Sequence, residues 1–306
     1  MTAKDELFGR LEHLSAAKDL PELIDIGIVQ DTHNGVANLL RKGLGIVAFN
    51  ILEDFIKKRA SEALSRISAS RIEFVKLPVK LQDAAILDAL SSLVFRAKIE
   101  KKDGGDWRNL VQTESLKIHS TGKPSFELSD LSLASSSSNV SAEEVTGILA
   151  AFGLGGGWAT LKKVSDAIGG GLPDLNQAYK NAASRRHSCA HEANFNYDYL
   201  WLASIKSEIL AIAASLDIIL EARCRQVEAS LNMNMQDHDI NTALNYRFLH
   251  NALGVYKESK ALGGRTIKNW HDPLEALRVL RPKLRPANEF LILLDGGRRV
   301  SNWYVS

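Results

Sequence analysis

Residues 195–219 read FNYDYLWLASIKSEILAIAASLDII, and their spacing sets the fold class. Phe195, Leu202, Ile205, Ile209, Ile212, Leu216 and Ile219 form a near-heptad apolar stripe. Such a stripe predicts a long amphipathic helix packed on antiparallel partners. Its exit falls at Asn232-Met233-Asn234-Met235 and Asp237. Upstream, Val36, Leu40, Leu44, Val47, Ile51 and Phe55 trace one helical face between Gly35 and Ile67. Gly43 and Gly45 within it cost about 1 kcal/mol each relative to alanine, so they serve close helix approach or mark a break. A further helix follows Pro78, from Leu81 to Lys98, with Ile86, Leu90, Leu93 and Ala97 inward. Residues 104–140, ending in Ser135–Ser138, read as an irregular insertion. Ser141 and Glu144 then spell a capping box for a helix that stops at Gly153. Residues 241–262 read as another helix. The tail changes period: Phe290–Leu294, Asp295-Gly296-Gly297, then Val300–Val305 predict a small terminal β-hairpin.

The expected architecture is therefore all-α, an antiparallel helical bundle with an irregular insertion and a small C-terminal β-hairpin. Its organisation reads as an N-terminal extension (1–34), a helical domain (35–230, insertion about 104–140) and a basic C-terminal extension (231–306). With 306 residues, 45% hydrophobic and 24% charged, the chain can bury a substantial core. A net charge of +2 excludes a general polycation, so any nucleic-acid surface is a local patch. Cys189 and Cys224 have neither disulfide-framework nor zinc spacing. No secretory segment and no uninterrupted apolar span is read, and the expected location is the cytoplasm, away from membranes.

Ahead of the decisive helix, residues 184–192 read Ser-Arg-Arg-His-Ser-Cys-Ala-His-Glu. Cleavage of RNA by its own 2′-hydroxyl needs a proton-transfer group that titrates near neutrality and a fixed cation for the phosphate. Histidine and arginine supply these. A helix start would add backbone N–H donors and a favourable dipole. On an ideal helix Arg186 and His191 point about 140° apart, since each residue turns roughly 100°. A common phosphate then needs a helix start, a kink, or an arginine reaching round.

The arrangement Arg-x4-His, with polar His187 directly after Arg186, resembles the HEPN superfamily of ribonucleases. The early helix with Glu53 and Asp54, and the long helix behind the motif, look most like the RiboL-PSP type. The resemblance implies an all-helical core that forms a homodimer, with Arg186 and His191 catalytic. Arg185 offers an equally permitted Arg-x5-His register, and His187 and Glu192 are possible supporting residues. It also implies an endoribonuclease that needs neither metal nor cofactor and leaves 2′,3′-cyclic phosphate and 5′-hydroxyl ends. Toxin and anti-phage (abortive-infection) roles, with an antitoxin or regulatory partner, are implied by family alone. The alternative is a non-catalytic HEPN-like module that binds RNA or nucleotide and supports a partner protein. HEPN toxins silenced by nucleotide addition carry a tyrosine two residues after the histidine; Ala193 stands there here.

Other signals are weaker. His187 and His191 share a helix face as a metal-binding pair would, but a third ligand is missing. Gly153–Gly157 and Gly169–Gly171 lack the Gly-Lys-Ser/Thr of a phosphate loop and read as turns. Between Lys257 and Arg299 ten Lys/Arg stand against five Asp/Glu, with Trp270 and His271 interspersed and Trp303 just beyond. Arg281, Lys283, Arg285, Arg298 and Arg299 are the candidate RNA contacts, the tryptophans candidate stacking platforms. The plainer reading has the tryptophans packed on the core.

Overall fold

A helix whose middle is predominantly apolar all round belongs in an interior, and α9 (Tyr199–Ala229) is such a helix. From Ile209 to Arg225 every residue is buried, and Asp217, Glu221, Arg223 and Arg225 lie inside with the alkyl groups. From Leu202 onward the stripe expected from spacing lies on the buried side of α9, whereas Phe195 falls in the linker before the helix and Leu200, Ala203 and Ser207 are exposed. The computed structural model describes residues 1–27, 30–133, 139–229, 235 and 244–305. The Ser135–Ser138 run, most of the expected helix exit at 232–237, and 241–243 lie outside them.

Helices α1 (Ala3–Lys18), α2 (Asp31–Ser68), α3 (Val79–Asp83), α4 (Ala89–Lys102) and α5 (Trp107–Ser120) lead the chain, with a π-helical turn at Ala84–Asp88. Then come α6 (Ala142–Ala151), α7 (Gly157–Ala167), α8 (Leu175–His191) and α9. The chain divides by contact into two units. The first is Met1–Phe55, Leu161–Ile218 and Leu244–Ser306; the second is Ile56–Thr160 and Ile219–Ala243. α2 carries an 18-residue window of mean hydropathy 1.2, long and apolar enough by composition to cross a bilayer, and 44% of it is buried in the protein. Arg41 and Lys42 interrupt its apolar run.

In the second unit, Ser141 caps α6 as its sequence predicts, accepting from the Glu144 amide while Glu144 accepts from the Ser141 amide. Gly153 ends that helix at φ 65°, and Arg223 Nε donates to the Phe152 carbonyl at 2.8 Å. Buried Glu221 accepts from Arg59, Arg66 and Arg225. The irregular insertion requires correction: α5 occupies much of 104–140, capped by Asp106. Its apolar periodicity is broken by Glu114 on the buried face, where Ser129 Oγ and Lys117 Nζ donate to it at 2.5 and 2.9 Å. A satisfied buried carboxylate is invisible to a hydrophobicity pattern.

The first unit holds a larger correction. Instead of a small hairpin the tail is a five-stranded mixed sheet, β1 (Asn245–Ala252), β2 (Val255–Ser259), β3 (Lys268–Trp270), β4 (Glu289–Leu294) and β5 (Val300–Tyr304). Strand order is β3-β2-β1-β4-β5, with β1 parallel to β4 and the other pairs antiparallel. The helix expected over 241–262 is the β1–β2 pair, turned by Leu253 and Gly254 at φ 54° and 85°. Helix α10 (Pro273–Leu284) crosses one face, packing Ala276, Leu280 and Leu284 on Leu249, Trp270 and Leu291. Under it Arg247 bridges Glu289 and Glu258, and Trp270 Nε1 donates to Glu258. The other face carries Phe248, Ile292 and Trp303; the Trp303 indole donates to Asp217 of α9 at 2.7 Å and sits 5.4 Å from Phe8 of α1. Trp270 and Trp303 are 4% and 0% exposed, so neither is a stacking platform for bases. Their large apolar area fills the two faces of the sheet.

Candidate active site

The motif closes a helix; it does not open one. α8 ends at His191 and α9 begins only at Tyr199. This corrects the expected helix start and reverses the local dipole: a C-terminal turn presents carbonyls and favours cations. Phosphate anchoring here would fall to side chains.

What holds the turn in place is α2. Asn38 Nδ2 donates to the Phe195 carbonyl and Asn38 Oδ1 accepts from the Tyr197 amide, at 3.0 and 2.8 Å. Arg41, 2% exposed, donates through Nε to the Tyr197 carbonyl and through Nη1 to the Leu23 carbonyl and Asp25. Lys42 Nζ reaches the carbonyls of Glu192 and Ala193 at 2.7 and 3.3 Å. Gly45 lets the Tyr197 ring lie against the helix; a Cβ there would be 2.6 Å from the ring. Positions 38, 41, 42 and 45 are one helical face. That face clamps the 192–197 linker, so the orientation of the α8 end depends on α2.

Arg185 is half-buried and committed: its Nη2 donates to Glu208 Oε2 at 2.7 Å, and its guanidinium lies 5.6 Å from the Trp201 ring centre. Arg186 makes no ion pair with any described residue, and its buried Nε has no hydrogen-bond partner. His187 and His191 are both exposed, with ring centres 4.6 Å apart. Glu192 caps α8 and accepts from Ser188 Oγ at 2.7 Å. The structure thus joins His187 to His191, and Glu192 to Ser188. No hydrogen bond, ion pair or ring interaction joins Arg186 to His191 within one chain. Cys189 is buried behind them; burial pushes its thiol pKa up, against the pull of Lys42 and Arg185. Burial also pushes the Tyr197 hydroxyl up to about 12, so this ring is a neutral wedge at any ordinary pH.

Sequence reasoning missed Lys42 and Asn38, and it missed that Glu208 withdraws Arg185 from service. The one available signal for the clamp was Arg41-Lys42 interrupting an apolar run. Among the described residues no group of three or more His, Cys, Asp or Glu could hold a metal ion. The expected RNA contacts Arg281, Lys283, Arg285, Arg298 and Arg299 are all exposed, at the end of α10 and in the β4–β5 turn. Arg281 stacks at 4.9 Å on Tyr304.

No curated protein and no solved structure matches the chain. The family model of RiboL-PSP-HEPN matches residues 5–222, from the first helix through most of α9 and across the whole Arg186–His191 motif. On that match, covering well over half its length, the chain belongs to the RiboL-PSP-HEPN family.

Proposed function

We propose that this chain is a metal-independent endoribonuclease acting at the end of α8. The observation that carries the reading is the exposed His187/His191 pair beside an arginine without an ion pair, in a chain of the RiboL-PSP-HEPN family. In the proposed reaction an imidazole takes the 2′-hydroxyl proton as the 2′-oxygen attacks phosphorus. The bond to the 5′-oxygen breaks and that oxygen takes up a proton, leaving 2′,3′-cyclic phosphate and 5′-hydroxyl ends. His191 serves as base or acid, and Arg186 binds the scissile phosphate. The commitment of Arg185 to Glu208 favours Arg186 over it for that task.

Arg186 and His191 of one chain share no hydrogen bond or ion pair, so we place the reaction in a homodimer where two copies complete a composite cleft. A toxin or anti-phage effector of the cytoplasm, restrained by an antitoxin or regulatory partner, is the proposed setting. The same lack of a link between Arg186 and His191 favours a second reading, a non-catalytic RNA- or nucleotide-binding module that supports a partner protein. One comparison separates them. RNA cleavage by the purified protein in EDTA, lost by 10²-fold or more in His191→Ala while RNA binding and dimerisation persist, is the outcome expected of the enzyme. A wild-type protein that binds RNA but leaves it intact would establish the binding module.

A further inference from the structure

We propose that a cleft in the C-terminal sheet, apart from the α8 site, binds a phosphomonoester. The cleft has a volume of about 150 Å³. His250 of β1 and Lys257 of β2 are cross-strand partners and project from one face, with Leu294 of β4 beside His250. Gly263 and Gly264, in the loop between β2 and β3, form a wall together with Thr266. Arg298, from the β4–β5 turn, closes the cleft: its Nη1 would lie 3.5 Å from a Cβ added at Gly263.

Three observations point to an anion. No carboxylate lines the cleft, against three basic side chains and two hydroxyls. Of the acids adjacent in sequence to lining residues, Glu258 is on the opposite face, accepting from Arg247 and Trp270, and Asp295 has its Oδ1 taken by the amides of Gly297 and Arg299. Second, all of these groups except the Ser259 hydroxyl, which donates to the Ala261 carbonyl, are unspent. His250 Nε2 is buried with no hydrogen-bond partner, and the side chains of Lys257, Thr266 and Arg298 make no hydrogen bond or ion pair with any described residue. Leaving a buried polar atom unpaired is costly, and a ligand oxygen would satisfy it. Third, Arg298 stands at φ 61°, in a hairpin position where glycine is the relaxed choice. Strain of that kind points to a requirement for the side chain.

A guanidinium fork, a lysine and an imidazole around one small cavity match a tetrahedral dianion. The cavity takes the phosphate group and leaves the rest of the ligand outside. Two sources share this chemistry, the phosphorylated end of an RNA and the phosphate of a free mononucleotide.

The test uses the full chain and 2′-O-methyl oligonucleotides, which cannot be cut by 2′-hydroxyl attack, so the result is independent of the ribonuclease reading. Binding of a 5′-phosphorylated oligomer, its 5′-hydroxyl twin, a 5′-mononucleotide and inorganic phosphate is measured by anisotropy and calorimetry. At least one phosphorylated ligand should bind ten-fold or more tightly than its unphosphorylated counterpart. That preference should vanish in Lys257→Gln and in Arg298→Gly, the latter relaxing the turn and so keeping the fold. Preference for the oligomer assigns the site to RNA ends; preference confined to the mononucleotide assigns it to the free ligand. Equal binding of phosphorylated and hydroxyl forms, or a preference that survives both substitutions, would overturn the proposal.

Discussion

Arg185 and Arg186 are neighbours in sequence with different surroundings. Arg185→Ala removes the only cation paired with a mostly buried Glu208 among the described residues, leaving it the Ser204 hydroxyl, and should cost about 1–3 kcal/mol in urea unfolding. Arg186→Ala breaks no ion pair with any described residue and should cost less than about 1 kcal/mol while abolishing cleavage, which a gel assay on the same preparations would report. Lys4 makes a pH prediction. Its ammonium donates to the Trp303 carbonyl and lies 4.3 Å from the Tyr304 ring centre, and burial lowers its pKa to about 8, partly offset by Asp217. Below about pH 8 the lysine is charged in both folded and unfolded chains, and the burial penalty is present in full. Between about 8 and the ordinary 10.5 the unfolded chain binds more protons, so stability rises with pH through this group. The wild-type stability relative to Lys4→Met should therefore increase across that window; a flat difference in denaturation midpoints would refute the assignment.

At the scale of the element, α2 shows how one helix can hide opposite demands. Gly43 faces open space, so Gly43→Ala should stabilise by about 0.5–1 kcal/mol. Gly45 lies under Tyr197, and Gly45→Ala should destabilise by about 1–3 kcal/mol despite the better helix propensity. Opposite shifts in melting temperature would verify the clamp. Hydrophobic spacing located α2, the capped start of α6 and the run of α9, because each is dominated by local periodicity. It missed α5, where Glu114 occupies the buried face, and it placed the Arg186–His191 motif at the start of the long helix when that motif ends α8. The break between α8 and α9 depends on α2, which takes the 192–197 linker carbonyls and amides in place of a helical ladder.

At the scale of the molecule, the C-terminal sheet folds with 1–55 and 161–218 as one unit, and Trp303 ties it to α9. Trp303→Phe should lower stability by about 1–3 kcal/mol by removing the buried donor to Asp217, read from thermal unfolding. What the sequence alone determined was the helical character of α2, α4, α6 and α9, the family resemblance, and the short list of side chains able to move a proton or hold a phosphate. Those properties live in local spacing and residue chemistry. Only the tertiary structure decided that the motif ends a helix, that Glu208 withdraws Arg185, and that the basic tail is a five-stranded sheet with its tryptophans buried. Each of these rests on partners far away in the chain: Glu208 for Arg185, β4 for β1, Asp217 for Trp303. Contacts of that kind leave no periodic trace in the segment that makes them.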